Sequence, residues 1–237
     1  MIAVILAAGR GSRMDNYTSD LPKSLLKLNN KKTILDYNIS IMNKLRVQKV
    51  YIVVGYKYKK IINHLKHHKN ISFVYNPFWE NCNVLGSFFQ AFPFMNKDTL
   101  FLHADTLVEL KVWNKLSKID SEIVLPYKSK ECGDEEMKVY FNNYGELKSI
   151  SKTLNNELAK GEFLGIAKFN KKILTYIKHV GSRILMKGNF NSYMEVVIEE
   201  AIKHKRDIFT FDIGESNFVE VDFEEDYNLA IKLFSKF

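Results

Sequence analysis

The sequence predicts an α/β fold built on a mainly parallel sheet with helices on both faces. Three observations predict it. Apolar runs of strand length alternate with helix-period stretches through the first half of the chain. The first run breaks into a glycine-containing loop, Gly9-Arg10-Gly11-Ser12-Arg13, as a strand does when it delivers its end to a ligand. No repeat, low-complexity segment or Pro/Gly-rich linker divides the 237 residues, so a single domain is expected over 1–237.

The elements follow in order. Ile2–Leu6 reads as a buried strand, and Ile34–Leu45 as a helix. Val50–Val54 is a second strand ending at Gly55, followed by a helix over Lys57–Leu65. Ile71–Tyr75 is a third strand, and Asn83–Phe92 its helix, with Asn83 a suitable N-cap. Leu100–His103 and Ile123–Leu125 are the fourth and fifth strands. After Tyr127 the pattern turns antiparallel. Met137–Phe141 and Leu147–Ser151 flank Asn142-Asn143-Tyr144-Gly145, a hairpin signal, and Gly161–Phe169 reads as one further strand. Helices over Lys171–His179 and Ser192–His204, strands over Ile208–Phe211 and Phe218–Val221, and a helix from Phe223 complete the chain.

Composition narrows the function. Hydrophobic content of 46% and charged content of 26% are those of an ordinary soluble globule. No run approaches the ~18 apolar residues of a membrane span. The apolar start has no basic flank, and Gly9-Arg10-Gly11 interrupts it, so this stretch is not expected to be a signal peptide. Cys82 and Cys132 form neither a disulfide framework nor a metal spacing, which fits a reduced, cytoplasmic protein. The net charge of +8 is spread along the chain, apart from Lys57, Lys59, Lys60 and the stretch His64–Lys69. Without aromatic–basic interleaving it gives no nucleic-acid signature, and anionic small substrates account for it equally well.

The glycine loop departs from two familiar phosphate loops. Met14 stands where a dinucleotide fingerprint has its third glycine, and the second strand ends in Val53-Val54-Gly55 without an acidic residue. Gly-Lys-Ser/Thr is missing, so it is no P-loop. What remains is either a plain glycine turn or a set of backbone amides for an anion with a cation, Arg13, beside them. Leu21-Pro22-Lys23-Ser24 adds a second cation, with Pro22 stiffening the chain that holds Lys23. Two cations bracketing one loop can neutralise a triphosphate.

Leu6-Ala7-Ala8-Gly9-x-Gly11-Ser12-Arg13, with Pro22-Lys23 nine residues later, resembles the signature of nucleotidyltransferases that load sugar phosphates and related acceptors onto nucleotides. The short chain and compact second half resemble the branch of cytidylyltransferases acting on phosphocholine, phosphoglutamine or aminoethylphosphonate. The resemblance implies a Rossmann-like three-layer α/β/α fold with a smaller antiparallel acceptor-side region. The nucleotide-binding part would span about 1–127 and the acceptor-binding, closing part about 128–237. By the same resemblance Leu6, Ala7, Ala8, Gly9, Gly11, Ser12, Asn83, Ser87 and Ala104 meet the nucleotide, and Arg13 and Lys23 act on its phosphates as catalytic residues. Asp105, after the fourth strand, and Asp222, after the last, would bind Mg²⁺. Asp222-x-x-Glu225 also reads as a capping box for the final helix.

The acceptor side departs from the phosphocholine pattern. A quaternary ammonium calls for an aromatic box, yet Gly133-Asp134-Glu135-Glu136-Met137-Lys138-Val139 has no aromatic residue. Tyr193 supplies one wall, but Met194 follows where a tryptophan would serve. Lys138 with Glu135, Glu136 and Glu195 suits an acceptor carrying an amine and an anionic group, and Glu162 lies in a stretch resembling the family's acceptor-side lining. The expected reaction is Mg²⁺-dependent transfer of CMP from CTP to a small phosphorylated amine or amino acid (glutamine phosphate, phosphocholine or aminoethylphosphonate type). Pyrophosphate would be released, and the resemblance implies that the product serves surface-polysaccharide modification. The alternative is a sugar-1-phosphate nucleotidyltransferase using UTP, dTTP or GTP. The partners expected are CTP, or another nucleoside triphosphate, and a small phosphorylated acceptor, with no nucleic acid and no membrane, in a monomer or homodimer.

Overall fold

The computed structural model describes residues 1–236. In chain order the elements are β1 (Ile2–Ala7), α1 (Asp15–Thr18), α2 (Ile34–Lys44), β2 (Lys49–Val54), α3 (Tyr58–Leu65), β3 (Ile71–Tyr75), α4 (Val84–Ala91) and β4 (Thr99–His103). They continue with β5 (Thr106–Val108), α5 (Leu110–Lys118), β6 (Ile123–Lys128), β7 (Lys138–Phe141), β8 (Leu147–Ser151), β9 (Gly161–Phe163) and β10 (Ile166–Phe169). The last are α6 (Leu174–Met186), α7 (Glu195–Lys203), β11 (Ile208–Asp212), β12 (Phe218–Glu220) and α8 (Glu224–Phe234).

The main sheet runs β3-β2-β1-β4-β10-β6-β9-β7-β8, with β11 pairing β6. β3, β2, β1 and β4 are parallel, and the sheet turns antiparallel at β10. The predicted hairpin forms as β7 and β8, and β9 pairs with both β7 and β6. A separate two-stranded sheet joins β12 to β5. Strand alternation in β1 sends Ala3, Ile5 and Ala7 to one core, with Ile34, Leu35 and Ile39 of α2 and Trp113 of α5. Ile2 and Val4 face the other core, with Phe88 of α4, Ile177 of α6 and Ile198 of α7. Two cores on opposite faces make the three-layer, Rossmann-like α/β/α fold.

The departures have local causes. Gly161–Phe169 is two strands, not one, because Gly165 takes φ +67° between them. A Cβ there would lie 2.8 Å from His103 Nδ1, so the break also makes room for that ring. α5 was not legible beforehand, and neither was β5, three residues that find their partner more than a hundred positions later. α6 runs past His179 to Met186, since Gly181 packs against Phe92 rather than ending the helix.

Topology fixes the site. The chain leaves β1 toward β2 and β3, then returns to place β4 on β1's other side. Open α/β sheets bind ligands at the carboxyl ends of strands at such a switch point. Ala104 N donates to Leu6 O at 3.0 Å, which ties the two strand ends together.

Candidate active site

The loop after β1 is shaped from within. Gly11 has φ +73°, and a Cβ on it would stand 3.0 Å from Lys23 Cε and 3.1 Å from Lys23 Cβ. Glycine is therefore required there twice, for the left-handed backbone and for the passage of the lysine. Gly9 differs, because a Cβ on it would meet nothing within 4 Å. Pro22, extended at ψ 137°, leads into a 3₁₀ turn over Lys23–Leu25, closed by Leu25 N donating to Pro22 O at 2.8 Å.

Lys23 is thereby aimed at both predicted metal-binding aspartates. Its Nζ lies 2.8 Å from Asp105 Oδ2 and 2.8 Å from Asp222 Oδ1. Burial works against the lysine's charge, but the two carboxylates outweigh it and hold its pKa well above the ordinary value. Burial likewise opposes the charge of Asp105, and Lys23 with His103 overcomes it and holds that carboxyl below its usual range. Arg13 joins the network at 3.2 Å from Asp222 Oδ2 and 2.8 Å from Glu135 Oε2. Asp222 is not the helix cap that its spacing with Glu225 predicts. The Asp226 carboxylate, one residue later, accepts from the Asp222 and Phe223 amides at 3.0 and 2.8 Å and leaves the Asp222 side chain to the lysine.

Period-two alternation brings two residues that sequence reasoning did not assign. His103 lies two before Asp105 and Glu220 two before Asp222, and His103 Nδ1 stands 3.2 Å from Glu220 Oε1. Burial opposes charge on the imidazole, yet its bond to Glu220 pushes its pKa up to about 9. Ligand atoms of His103, Asp105 and Glu220 all lie within 4.8 Å of one another. With Asp105 and Asp222 converging on one cationic atom, the donor set suits a divalent cation.

These groups open on a cleft of about 690 Å³. Leu6, Ala8, Gly9, Asn83 and Ser87 line it, together with Arg13, Asp105, Asp222, Glu162, Tyr193 and Glu195. A smaller hollow of about 100 Å³ adjoins it, with Ala7, Gly11, Lys23 and Ala104 in its wall. Ser12 lines neither and is exposed on a 3₁₀ turn. Lys138 is also out of place as an acceptor ligand. It is 1% exposed, does not line the cleft, and spends its ammonium on Gly133 O at 2.9 Å.

Lys130, unassigned from sequence, stands in the cleft instead, 3.0 Å from Glu136 and 3.2 Å from Glu162. Burial pushes Glu162 up to about 7, against the pull of Lys130. Glu195 is buried on the first turn of α7, its pKa raised by that burial, and its Oε2 has no hydrogen-bond partner in the protein. At the other end of the cleft, Asn76 Oδ1 accepts Phe78 N at 3.0 Å, so its Nδ2 must donate, at 3.0 Å, to Ser87 Oγ. Ser87 thus accepts from Asn76 while lining the cleft. Asn76 gave no signal in the sequence, because nothing local marks a residue whose partner is eleven positions away.

Comparison with known proteins gives the family of the chain and the fold it shares. The sequence matches the MobA-like NTP transferase domain over residues 3–159. It is 26% identical to a CTP:phosphoglutamine cytidylyltransferase of Campylobacter jejuni, covering 98% of this chain and 100% of that protein. It is 25% identical to a D-glycero-alpha-D-manno-heptose 1-phosphate guanylyltransferase of the same organism, covering 96% and 97%. The fold superposes on a CTP:phosphocholine cytidylyltransferase from Streptococcus pneumoniae with a TM-score of 0.78 at 21% identity, covering 98% of this chain and 97% of that one. Among the described residues, no helix is long and apolar enough to cross a membrane.

Proposed function

Since the chain belongs to the MobA-like NTP transferase family and is a nucleotidyltransferase, we propose that it transfers CMP from CTP to a small phosphorylated amine or amino acid. The observation that carries the reading is Lys23, held between Asp105 and Asp222 beside the glycine loop. The full-length similarity to a phosphoglutamine cytidylyltransferase supports CTP and the acceptor class. The similarity to a heptose 1-phosphate guanylyltransferase supports a second reading, in which a sugar 1-phosphate and another nucleotide react.

The chemistry needs charge control more than proton transfer. An acceptor phosphate oxygen attacks the α-phosphorus of CTP, and pyrophosphate leaves in line. The oxygen is anionic near neutral pH, so no general base is required. Catalysis is then positioning and neutralisation. Gly9, with open space where a side chain would be, lets the backbone approach the nucleotide. Arg13 and Lys23 neutralise charge at the α-phosphate and on the leaving group. Asp105 and Asp222 would hold Mg²⁺, a hard cation that prefers oxygen ligands and neutralises phosphate charge when bound. Ser87 faces the nucleotide end, and Glu162 and Glu195 face the acceptor end, where two carboxylates suit an amine. In this reading the nucleotide-binding part spans about 1–127 and the acceptor-binding, closing part about 128–237. The reaction belongs in the cytoplasm, and its activated product would modify a surface polysaccharide.

The test is pyrophosphate release with Mg²⁺, crossing CTP, UTP, dTTP and GTP against glutamine phosphate, phosphocholine, aminoethylphosphonate and glucose 1-phosphate. Release with CTP and an amine-bearing acceptor is expected. Release only with the sugar phosphate would move the enzyme to the second reading, and release with no pair would overturn both.

A further inference from the structure

The wall of the cleft that a quaternary ammonium would need is already taken by a cation. Lys152 Nζ lies 5.4 Å from the centre of the Tyr193 ring, and both residues line the cleft. An aromatic face binds one cation at a time, and a second would meet like-charge repulsion. Lys152 is not a freely waving surface lysine. It follows β8 in a turn where the Ser151 hydroxyl accepts the Thr153 amide at 3.1 Å, and its side chain is 28% exposed. Its nearest carboxylate is Glu135 at 3.9 Å, which is itself bound more closely by Arg13 at 2.8 Å. The ammonium therefore keeps donors for a ligand.

The opposite charge is supplied from the same side of the cleft. Glu195, 3% exposed, has an oxygen without a partner in the protein. A buried carboxylate oxygen of this kind calls for a donor, and the cleft is where one can arrive. The strand that leads into Lys152 and the helix carrying Glu195 are fixed to each other. Glu199, one turn along α7 from Glu195, accepts from the Ser149 hydroxyl at 2.8 Å and from the Ile150 amide, both in β8.

We propose that Lys152 is the residue that sets acceptor specificity: it binds an acceptor carboxylate while Glu195 takes the neighbouring primary ammonium, which selects a phosphorylated α-amino acid and rejects phosphocholine. This rests on the transferase reading above and deepens it. Lys138, the cation that the sequence singles out for this role, is buried elsewhere, and Lys152 replaces it.

The experiment uses a matched set of acceptors with CTP: glutamine phosphate, its decarboxylated counterpart (phosphorylated 4-aminobutanamide) and phosphocholine. In the unmodified enzyme, glutamine phosphate is expected to show a KM at least about tenfold below that of the decarboxylated compound, a step the size of one charge-assisted hydrogen bond. In Lys152→Met that difference should vanish with kcat for the decarboxylated compound retained, and phosphocholine should become the better substrate it was not. Lys152→Arg should restore the preference for the carboxylate, a rescue that a merely structural role would not give. An unchanged KM ratio in Lys152→Met, or a native preference for phosphocholine, overturns the inference and leaves the transferase reading standing. No pyrophosphate from any acceptor overturns both.

Discussion

Lys23 and Asp222, 199 positions apart in the chain, meet at 2.8 Å, and the same ammonium reaches Asp105 at an equal distance. One cation thus closes the loop after β1, the end of β4 and the end of β12 into a single site. It cancels the repulsion of two carboxylates, and under the proposed function it would also stand beside the phosphates when a nucleotide enters. Lys23→Ala and Asp105→Ala are each expected to lower kcat at least ~10²-fold, the scale of one electrostatic stabiliser in a low-dielectric site. Steady-state pyrophosphate release would show it, and near-normal turnover in either variant would remove that residue from the mechanism. In Lys23→Ala the paired aspartates lose their counter-ion, so Mg²⁺ should raise the thermal midpoint of the variant more than that of the parent.

The two loop glycines should behave differently. Gly11→Ala places a Cβ 3.0 Å from Lys23 Cε at φ +73°. A cost of about 1–3 kcal/mol in urea unfolding is expected, the range for a side chain forced into a left-handed position. Gly9→Ala meets nothing within 4 Å, so its stability should stay within about 0.5 kcal/mol of the parent. Its KM for CTP should rise sharply, because under the proposed function the nucleotide would fill the space that Gly9 leaves open. A Gly9→Ala enzyme with unchanged KM would show that the nucleotide does not approach there.

The loop was the most legible part of the site, and the reason is local. Glycine, proline and a lysine at fixed spacing constrain the backbone whatever the rest of the chain does, and Asp105 announces itself at the end of an apolar strand. Lys138 was misplaced because a lysine in the sequence carries no sign of where its long side chain sets down the ammonium. Lys138 pairs with Glu162 and Ser151 across two neighbours, and its side chain turns into the protein toward Gly133. His103 and Glu220 were recoverable by counting back two from each aspartate, since successive residues of a strand face opposite ways. Lys130, Lys152 and Asn76 were not, because their roles come from residues that only the tertiary fold brings near. The same holds for β5, whose partner strand lies at the far end of the sequence.

Asn76 and Ser87 offer a test of the nucleotide end. Asn76 is 2% exposed and its amide donates to Ser87 Oγ; under the proposed function the serine hydroxyl would in turn donate to the nucleotide. Ser87→Ala should leave urea stability within about 1 kcal/mol of the parent, while the KM for CTP rises by about tenfold, the worth of one hydrogen bond. Asn76→Ala removes the buried amide that supports Phe78 N and Ser87 together. It should lower stability by about 1–3 kcal/mol as well as raising KM, because the bonds from Phe78 N and to Ser87 Oγ are lost together and a buried side chain is truncated. Equal stability losses in the two variants would assign Ser87 a packing role only.

Glu162 predicts a pH dependence whose sign can be worked out. Burial raises its pKa from an ordinary 4.5 to about 7, so the folded protein holds this proton more tightly than the unfolded chain does. The stability that follows is fully present below the unfolded value and is lost as pH rises through the folded one. Glu162→Gln, which cannot ionise, should escape that loss. Urea unfolding at pH 5 and pH 8 should therefore show the variant gaining on the parent at the higher pH by about 1–3 kcal/mol, allowing for screening by Lys130 and by solvent at the cleft mouth. A variant that loses ground between those pH values would mean that the Lys130 pair holds Glu162 ionised and outweighs its burial. Because a positively charged acceptor group favours the ionised form, saturating amine-bearing acceptor should flatten the difference between the two proteins at pH 8.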